Sequence, residues 1–357
     1  MLFEPVSLRA LRLRNRVVMS PMTRNRAVDG NTANALMAEY YAQRASAGLI
    51  VTEGTSPSPN GLGYARIPGM FNAAQAAGWK QVVEAVHARG GRIVLQLMHT
   101  GRVTQQANLP DGAEVLGATG VALPGEVPTD SFGMRPYSTP RAMDGADIAR
   151  AVGEYAEAAR LAVAAGFDGV EMHAANGYLI EQFLNANINT RGDDWGGSAT
   201  ARNRFAVEVI RAASDLIGPD RVGVRLSPYG VFNATGAFDG IEAQYLGLVR
   251  ELSKMGLLYV HVLDHSAMGA PAVPAEFKRA LRAAFDGPFI LAGGFDARTA
   301  EVALQAGDAD LIAFGRAMLA NPDLVERMRR GATLNVPDMT TFYSPGAVGY
   351  TDYPTLS

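Results

Sequence analysis

The 357-residue chain contains no cysteine. That excludes disulfides, a thiolate nucleophile, iron–sulfur clusters and any zinc site built on cysteine. Lysine is scarce: beyond residue 100 only Lys254 and Lys278 occur, both in stretches with helical period. No apolar run approaches the roughly 18 residues that a membrane span requires. Glu4, Arg9, Arg12 and Arg14 break up the N-terminal stretch where a signal peptide needs an uninterrupted apolar core, so a cytoplasmic location is expected. Net charge is −3 and the 32 Lys and Arg are dispersed, which suggests neither a nucleic-acid nor a membrane-surface partner. The dinucleotide fingerprint G-x-G-x-x-G is also missing. Gly61-Leu-Gly63-Tyr-Ala-Arg66 lacks the third glycine, so no Rossmann domain is expected.

What is present is a rhythm. Short apolar β-rich runs at Val17–Ser20, Leu49–Glu53, Arg92–Leu97, Gly169–Met172, Val222–Leu226, Leu258–Val262, Phe289–Leu291 and Leu311–Phe314 alternate with longer alanine-rich amphipathic stretches. Near-continuous apolar strands suit a parallel sheet covered on both faces. Eight repeats of strand then helix predict an α/β fold, a single (β/α)8 TIM barrel over residues 1–357. The segment 101–141 breaks the rhythm with five prolines and six glycines and no helical period. It follows the third strand, on the face where barrel active sites sit, and is expected to cap the site.

Chemistry-bearing residues gather at the strand ends. After the fourth strand come His173, Asn176 and Tyr178. With His173 and Asn176 three apart, one helical turn would project both from one face, a fork able to hold a carbonyl or phenolate oxygen. The Tyr178 hydroxyl is suited to proton donation. Taken alone, His173 reads equally well as a hydrogen-bonded core histidine. Strand one ends in Ser20-Pro21-Met22-Thr23-Arg24, where Thr23 could meet a flavin carbonyl or simply cap a turn. Gln96, on strand three, offers the donor and acceptor that match a flavin's pyrimidine edge. Arg225 sits inside the apolar strand Val222–Leu226, which is costly without a negative partner. That partner is either a reduced flavin or a barrel carboxylate such as Glu53 or Glu171. Gly293 and Gly294 follow strand seven and Gly315-Arg316 follows strand eight, the positions from which barrels commonly bind phosphate.

The segments SPMTR, LQLMHTGR, EMHAANGYLIEQF, NTRGDDWGGS, GVRLSP, AGGF, FGRAMLANPDLVERM and FYSPGAVGYTDYP run in this order from about Pro5 to Pro354. Together they resemble the Old Yellow Enzyme family of FMN-dependent ene-reductases, and most of all its bacterial N-ethylmaleimide or xenobiotic reductase branch. The resemblance implies tightly but non-covalently bound FMN, with NADPH or NADH as a transient reductant. It places Pro21, Met22, Thr23, Gly54, Gln96 and Arg225 at the isoalloxazine, and Gly293, Gly294, Gly315 and Arg316 at the phosphate. His173 and Asn176 would bind the activating oxygen of an enone or nitroalkene, with hydride coming from flavin N5 and the proton from Tyr178. Tyr64, Met98 and Tyr343 would line the substrate pocket of a monomer or homodimer.

Three departures bear on substrate preference: Met98 stands where many members have tryptophan, Asp264-His265-Ser266-Ala267 replaces an acidic–proline sequence, and Ser344-Pro345 replaces glycine-rich sequence. His261 and His265 suggest a metal pair, but on an extended strand they would lie about 13 Å apart, so no metal is expected. Two other classes compete. A phosphate-binding lyase or aldolase would need a Schiff-base lysine or a metal, and a flavin-storage protein would need no oxygen fork or acid.

Overall fold

The computed structural model describes residues 1–356. Eight parallel strands close into a barrel: β1 (Val17–Met19), β2 (Leu49–Val51), β3 (Ile93–Leu97), β4 (Gly169–Ala174), β5 (Val222–Leu226), β6 (Tyr259–Leu263), β7 (Phe289–Ala292) and β8 (Leu311–Phe314). Each pairs with its sequence neighbours and β8 closes on β1, as expected from the strand–helix rhythm. Every residue of these strands is buried, because helices cover the outside while side chains fill the inside. Val18, Leu49, Val51, Val94, Ile290 and Leu311 form an interior apolar cluster. Leu8, Leu11 and Leu13 belong to the same cluster, so the N-terminal hairpin (Val6–Leu8 with Leu11–Leu13) plugs the end where the strands begin. The other end is left for the loops.

The segment 101–141 is more ordered than its composition suggests. Glu126–Thr129 and Gly133–Pro136 form an antiparallel hairpin, and Leu116–Gly117 pairs with Arg141–Ala142. It grips the loop after β2: Asn108 Nδ2 donates to the Gly63 carbonyl at 3.0 Å, and Asp130 meets Arg66. Among the described residues, no helix is long and apolar enough to cross a membrane.

Two buried arginines bring the C-terminal tail to the barrel mouth. Arg24 donates to the carbonyls of Phe342 at 3.0 Å and Gly349 at 2.6 Å. Arg26 donates to the carbonyls of Arg24, Thr341, Phe342, Gly346 and Val348 at 2.7–3.3 Å. A guanidinium suits this task because its five N–H donors radiate in one plane. Arg26→Met is therefore expected to lower stability by about 2–4 kcal/mol, since several carbonyls lose their donor at once. Urea unfolding and limited proteolysis would check this; a tail that stays protease-resistant at unchanged stability would contradict the clamp.

Candidate active site

A cleft of two connected lobes, about 620 and about 590 Å3, opens where the strands end. Pro21, Met22, Asn176, Tyr178, Arg225, Arg316 and Tyr343 line both lobes. Thr23, Gln96, Met98 and His173 line one. Tyr64, Gly293, Gly294 and Gly315 line the other. Of the residues that the resemblance assigns to cofactor or substrate, only Gly54 is absent from the walls. The Met98 thioether occupies its side-chain space: a Cβ on Gly54 would fall 2.5 Å from Met98 Sδ. The glycine thus makes room for Met98.

His173 and Asn176 meet in the cleft by a route other than the helical turn expected from their spacing. β4 continues through His173 to Ala174, and the chain then reverses at Asn176 (φ 59°) and Gly177 (φ 74°) before the helix Leu179–Leu184. Asn and Gly are the residue types that tolerate this left-handed backbone. Behind the turn lies Glu181, whose carboxylate accepts from Gly177 N at 2.7 Å, Tyr245 Oη at 3.1 Å and Ser227 Oγ at 3.2 Å. Ser227 Oγ in turn accepts from Asn176 N at 2.9 Å. The peptide groups of the turn are held, while its cleft-facing side chains are left free.

Those side chains are conspicuously unsatisfied. His173 Nδ1 and Asn176 Oδ1 are buried without partners among the described residues. Burial, with Arg225, His261 and His265 nearby, holds the His173 imidazole well below its usual pKa, so the ring is neutral. Tyr178 packs edge-on against His173, with ring centroids 5.0 Å apart, and its hydroxyl lies 3.1 Å from that of Tyr64. Burial pushes the Tyr178 phenol up to about 12, although the Tyr64 hydrogen bond pulls the other way. It keeps its proton at neutral pH.

Arg225 is buried at 5% exposure, its Nε has no partner, and no carboxylate among the described residues lies within the 4.0 Å of an ion pair. Glu171 serves Gln96 and His261 instead, and Glu53 accepts from Arg24 N and Tyr41. The barrel-carboxylate alternative therefore does not hold. Toward the other end of the cleft, Gly293 (φ 125°) and Gly294 (φ 70°) turn the chain after β7. A Cβ on Gly293 would strike the Asp264 carbonyl at 2.1 Å, so that glycine answers first to the loop after β6. Arg316 stands exposed beside them with no ion pair among the described residues. His261 bonds Glu171 through Nδ1, and no cluster of three metal-ligating side chains occurs among the described residues.

The profile of the NADH:flavin oxidoreductase / NADH oxidase family matches residues 1–335. The chain belongs to this family. It is 39% identical to a probable flavin mononucleotide-dependent alkene reductase of Leishmania infantum, covering 99% of this chain and 97% of that protein. Its fold superimposes on morphinone reductase in complex with tetrahydroNAD at a TM-score of 0.94, with 45% identity over 100% of this chain and 98% of that one. An Old Yellow Enzyme homologue from Zymomonas mobilis matches at 0.95, with 36% identity and 99% coverage of both chains. The Old Yellow Enzyme resemblance is thereby borne out: the protein is an FMN-dependent oxidoreductase that reduces alkenes with a nicotinamide as reductant.

The residues present fit FMN. An unpaired buried guanidinium in the wall, an amide at Gln96 and a free Arg316 at the far end match an anionic ring system and a phosphate. No lysine lines either lobe, and Lys278 is bound to Asp264 at 2.9 Å, so a Schiff-base lyase has no nucleophile here. Sequence reading missed Phe232, Met268, Met339 and Phe342, which also line the cleft. They sit in loops distant in sequence, and no local pattern marks them.

Glu181 adds a pH dependence. Burial raises its pKa from 4.5 to about 7, so the folded protein binds this proton more tightly than the unfolded chain. Stability from this group is full at low pH and declines as pH rises from about 4.5 to about 7. Unfolding wild type and Glu181→Gln in urea at about pH 5 and about pH 7.5 should show wild type losing about 1–3 kcal/mol more between the two. Parallel losses would contradict the assignment.

Proposed function

We propose that this enzyme saturates the C=C bond of α,β-unsaturated carbonyl or nitro compounds, with His173 and Asn176 gripping the activating oxygen and Tyr178 giving the proton. The observation that carries this reading is a neutral, unpartnered imidazole and an unpartnered carboxamide beside a protonated phenol in one wall of the cleft. Pro21, Met22, Thr23, Gln96 and Arg225 would hold the isoalloxazine of FMN, and Gly293, Gly294, Gly315 and Arg316 its phosphate. Bound FMN supplies the hydride, taken from NADPH or NADH and passed on to the alkene.

Neutral donors suit the substrate's oxygen. In the resting enzyme they cost little to desolvate, and they bind more tightly as negative charge develops on that oxygen. A doubly protonated histidine would be disfavoured next to Arg225, which is why burial and that charge act in the same direction on His173. Tyr178 delivers its proton to the α carbon, and the Tyr64 hydroxyl, 3.1 Å away, stabilises the phenolate left behind. Met98, Tyr64 and Tyr343 set the width of the pocket. Segment 101–141 caps the mouth indirectly, by bracing the loop that carries Tyr64.

His173→Ala should slow reduction of cyclohexenone by the reduced enzyme about 10²–10³-fold, the usual cost of one oxygen-binding donor. An unchanged rate would remove the fork from the mechanism. Tyr178→Phe should slow the same half-reaction by about 10²–10⁴ and leave flavin reduction by NADPH untouched, as stopped-flow spectroscopy of each half can tell. With its phenol at about 12, the wild-type rate should not respond to pH near neutrality through this group. A purified protein that neither carries nor takes up FMN would overturn the whole reading.

A further inference from the structure

A second polar layer lies beneath the cleft floor, inside the barrel. In the parallel register Gln96 on β3 stands opposite Glu171 on β4, and Arg225 on β5 stands opposite both His173 on β4 and His261 on β6. Glu171 and His261 are each 0% exposed, and neither lines the cleft. The Glu171 carboxylate accepts from Gln96 Nε2 at 2.8 Å and from His261 Nδ1 at 2.9 Å. No step described above uses either residue, yet a carboxylate in a dry interior is costly to keep.

Two consequences follow from its chemistry. A carboxylate can only accept, so the Gln96 amide must turn Nε2 toward Glu171, which leaves Oε1 as a free acceptor. The orientation of that side chain is thus imposed from below. The second consequence is electrostatic. Burial alone would protonate Glu171, but the hydrogen bonds it accepts from His261 and Gln96, with the Arg225 cation nearby, hold its pKa below the ordinary value, so it stays charged. His261, lowered by burial, stays neutral. A fixed negative charge therefore lies on the strand next to Arg225, opposite Gly223 in register, close enough to feel the guanidinium but without an ion pair to it among the described residues.

We propose that Glu171, supported by His261, is a positioning residue for FMN that locks the Gln96 amide and offsets part of the Arg225 charge, lowering the reduction potential of the bound flavin. This rests on the reading that Gln96 and Arg225 face the isoalloxazine. Reduction adds negative charge beside Arg225, and the Glu171 carboxylate opposes that addition. Removing the carboxylate's charge makes the flavin easier to reduce, and withdrawing its reach frees Gln96.

The test uses FMN-loaded protein and two variants. Glu171→Gln keeps the length and loses the charge. Its bound FMN should show a midpoint potential at least about 30 mV more positive than wild type by spectroelectrochemistry, a tenfold shift in a two-electron equilibrium. Glu171→Asp keeps the charge and falls short of Gln96, so titration of its apoprotein should give an FMN dissociation constant raised at least tenfold. An unchanged or more negative potential in Glu171→Gln overturns the proposal, as does wild-type FMN affinity in Glu171→Asp. Failure of both variants to fold would assign the pair to fold stability and overturn it too. A flavin-loaded variant with an unmoved potential defeats this inference alone, whereas wild-type protein unable to bind FMN defeats the functional reading beneath it.

Discussion

A buried guanidinium in a barrel wall, with no carboxylate partner among the described residues, is the constraint on which the upper half of this molecule turns. Arg225 has apolar strand residues on either side and an unpartnered Nε, and the two barrel carboxylates that could have neutralised it are engaged elsewhere. A charge in such a place is tolerated when a bound anionic group completes it. Its field also acts on its neighbours: His173, directly opposite in register, is kept neutral partly by it. One unsatisfied cation thus favours an anionic ligand in the cleft and keeps the imidazole opposite it uncharged.

The groups that face the cleft are held by groups that do not. Glu181 and Ser227 hold the peptide groups of the Asn176–Gly177 reversal, so the side chains above it can remain free without the turn losing its shape. Arg24 and Arg26 collect carbonyls of the tail and so place Phe342 and Tyr343 at the mouth. Glu171 does the same for Gln96 from inside the barrel. In each case a buried charged side chain spends its hydrogen bonds on backbone or on a neighbour, and the reacting surface above is left unsaturated.

Much of this was legible along the chain. The eight strands occur where period and composition place them, because a parallel barrel strand buried on both faces leaves an uninterrupted apolar run. His173, Asn176, Tyr178, Gln96, Arg225 and Arg316 all reach one cleft, since the barrel sends every strand's C-terminal end to the same face. The spacing of His173 and Asn176 misled, however. A separation of three suits a helix, but here a strand residue and a left-handed turn residue converge, and only the backbone angles distinguish the two. Gly54 shows a further long-range dependence: the space a side chain there would need is filled by Met98, forty-four positions later.

Sequence alone determined the architecture and the oxidoreductase family, and it singled out residues that the fold brings to one cleft, because periodicity and short motifs are local properties of the chain. It also excluded cysteine chemistry outright. What the tertiary structure decided was pairing: which carboxylate serves Arg225 (none within ion-pair distance among the described residues), which one orients Gln96, and which side chains from distant loops complete the walls. Pairing depends on distances of a few ångströms between strands far apart in sequence. Those distances are set by the shear and closure of the barrel as a whole, which no single stretch of residues encodes.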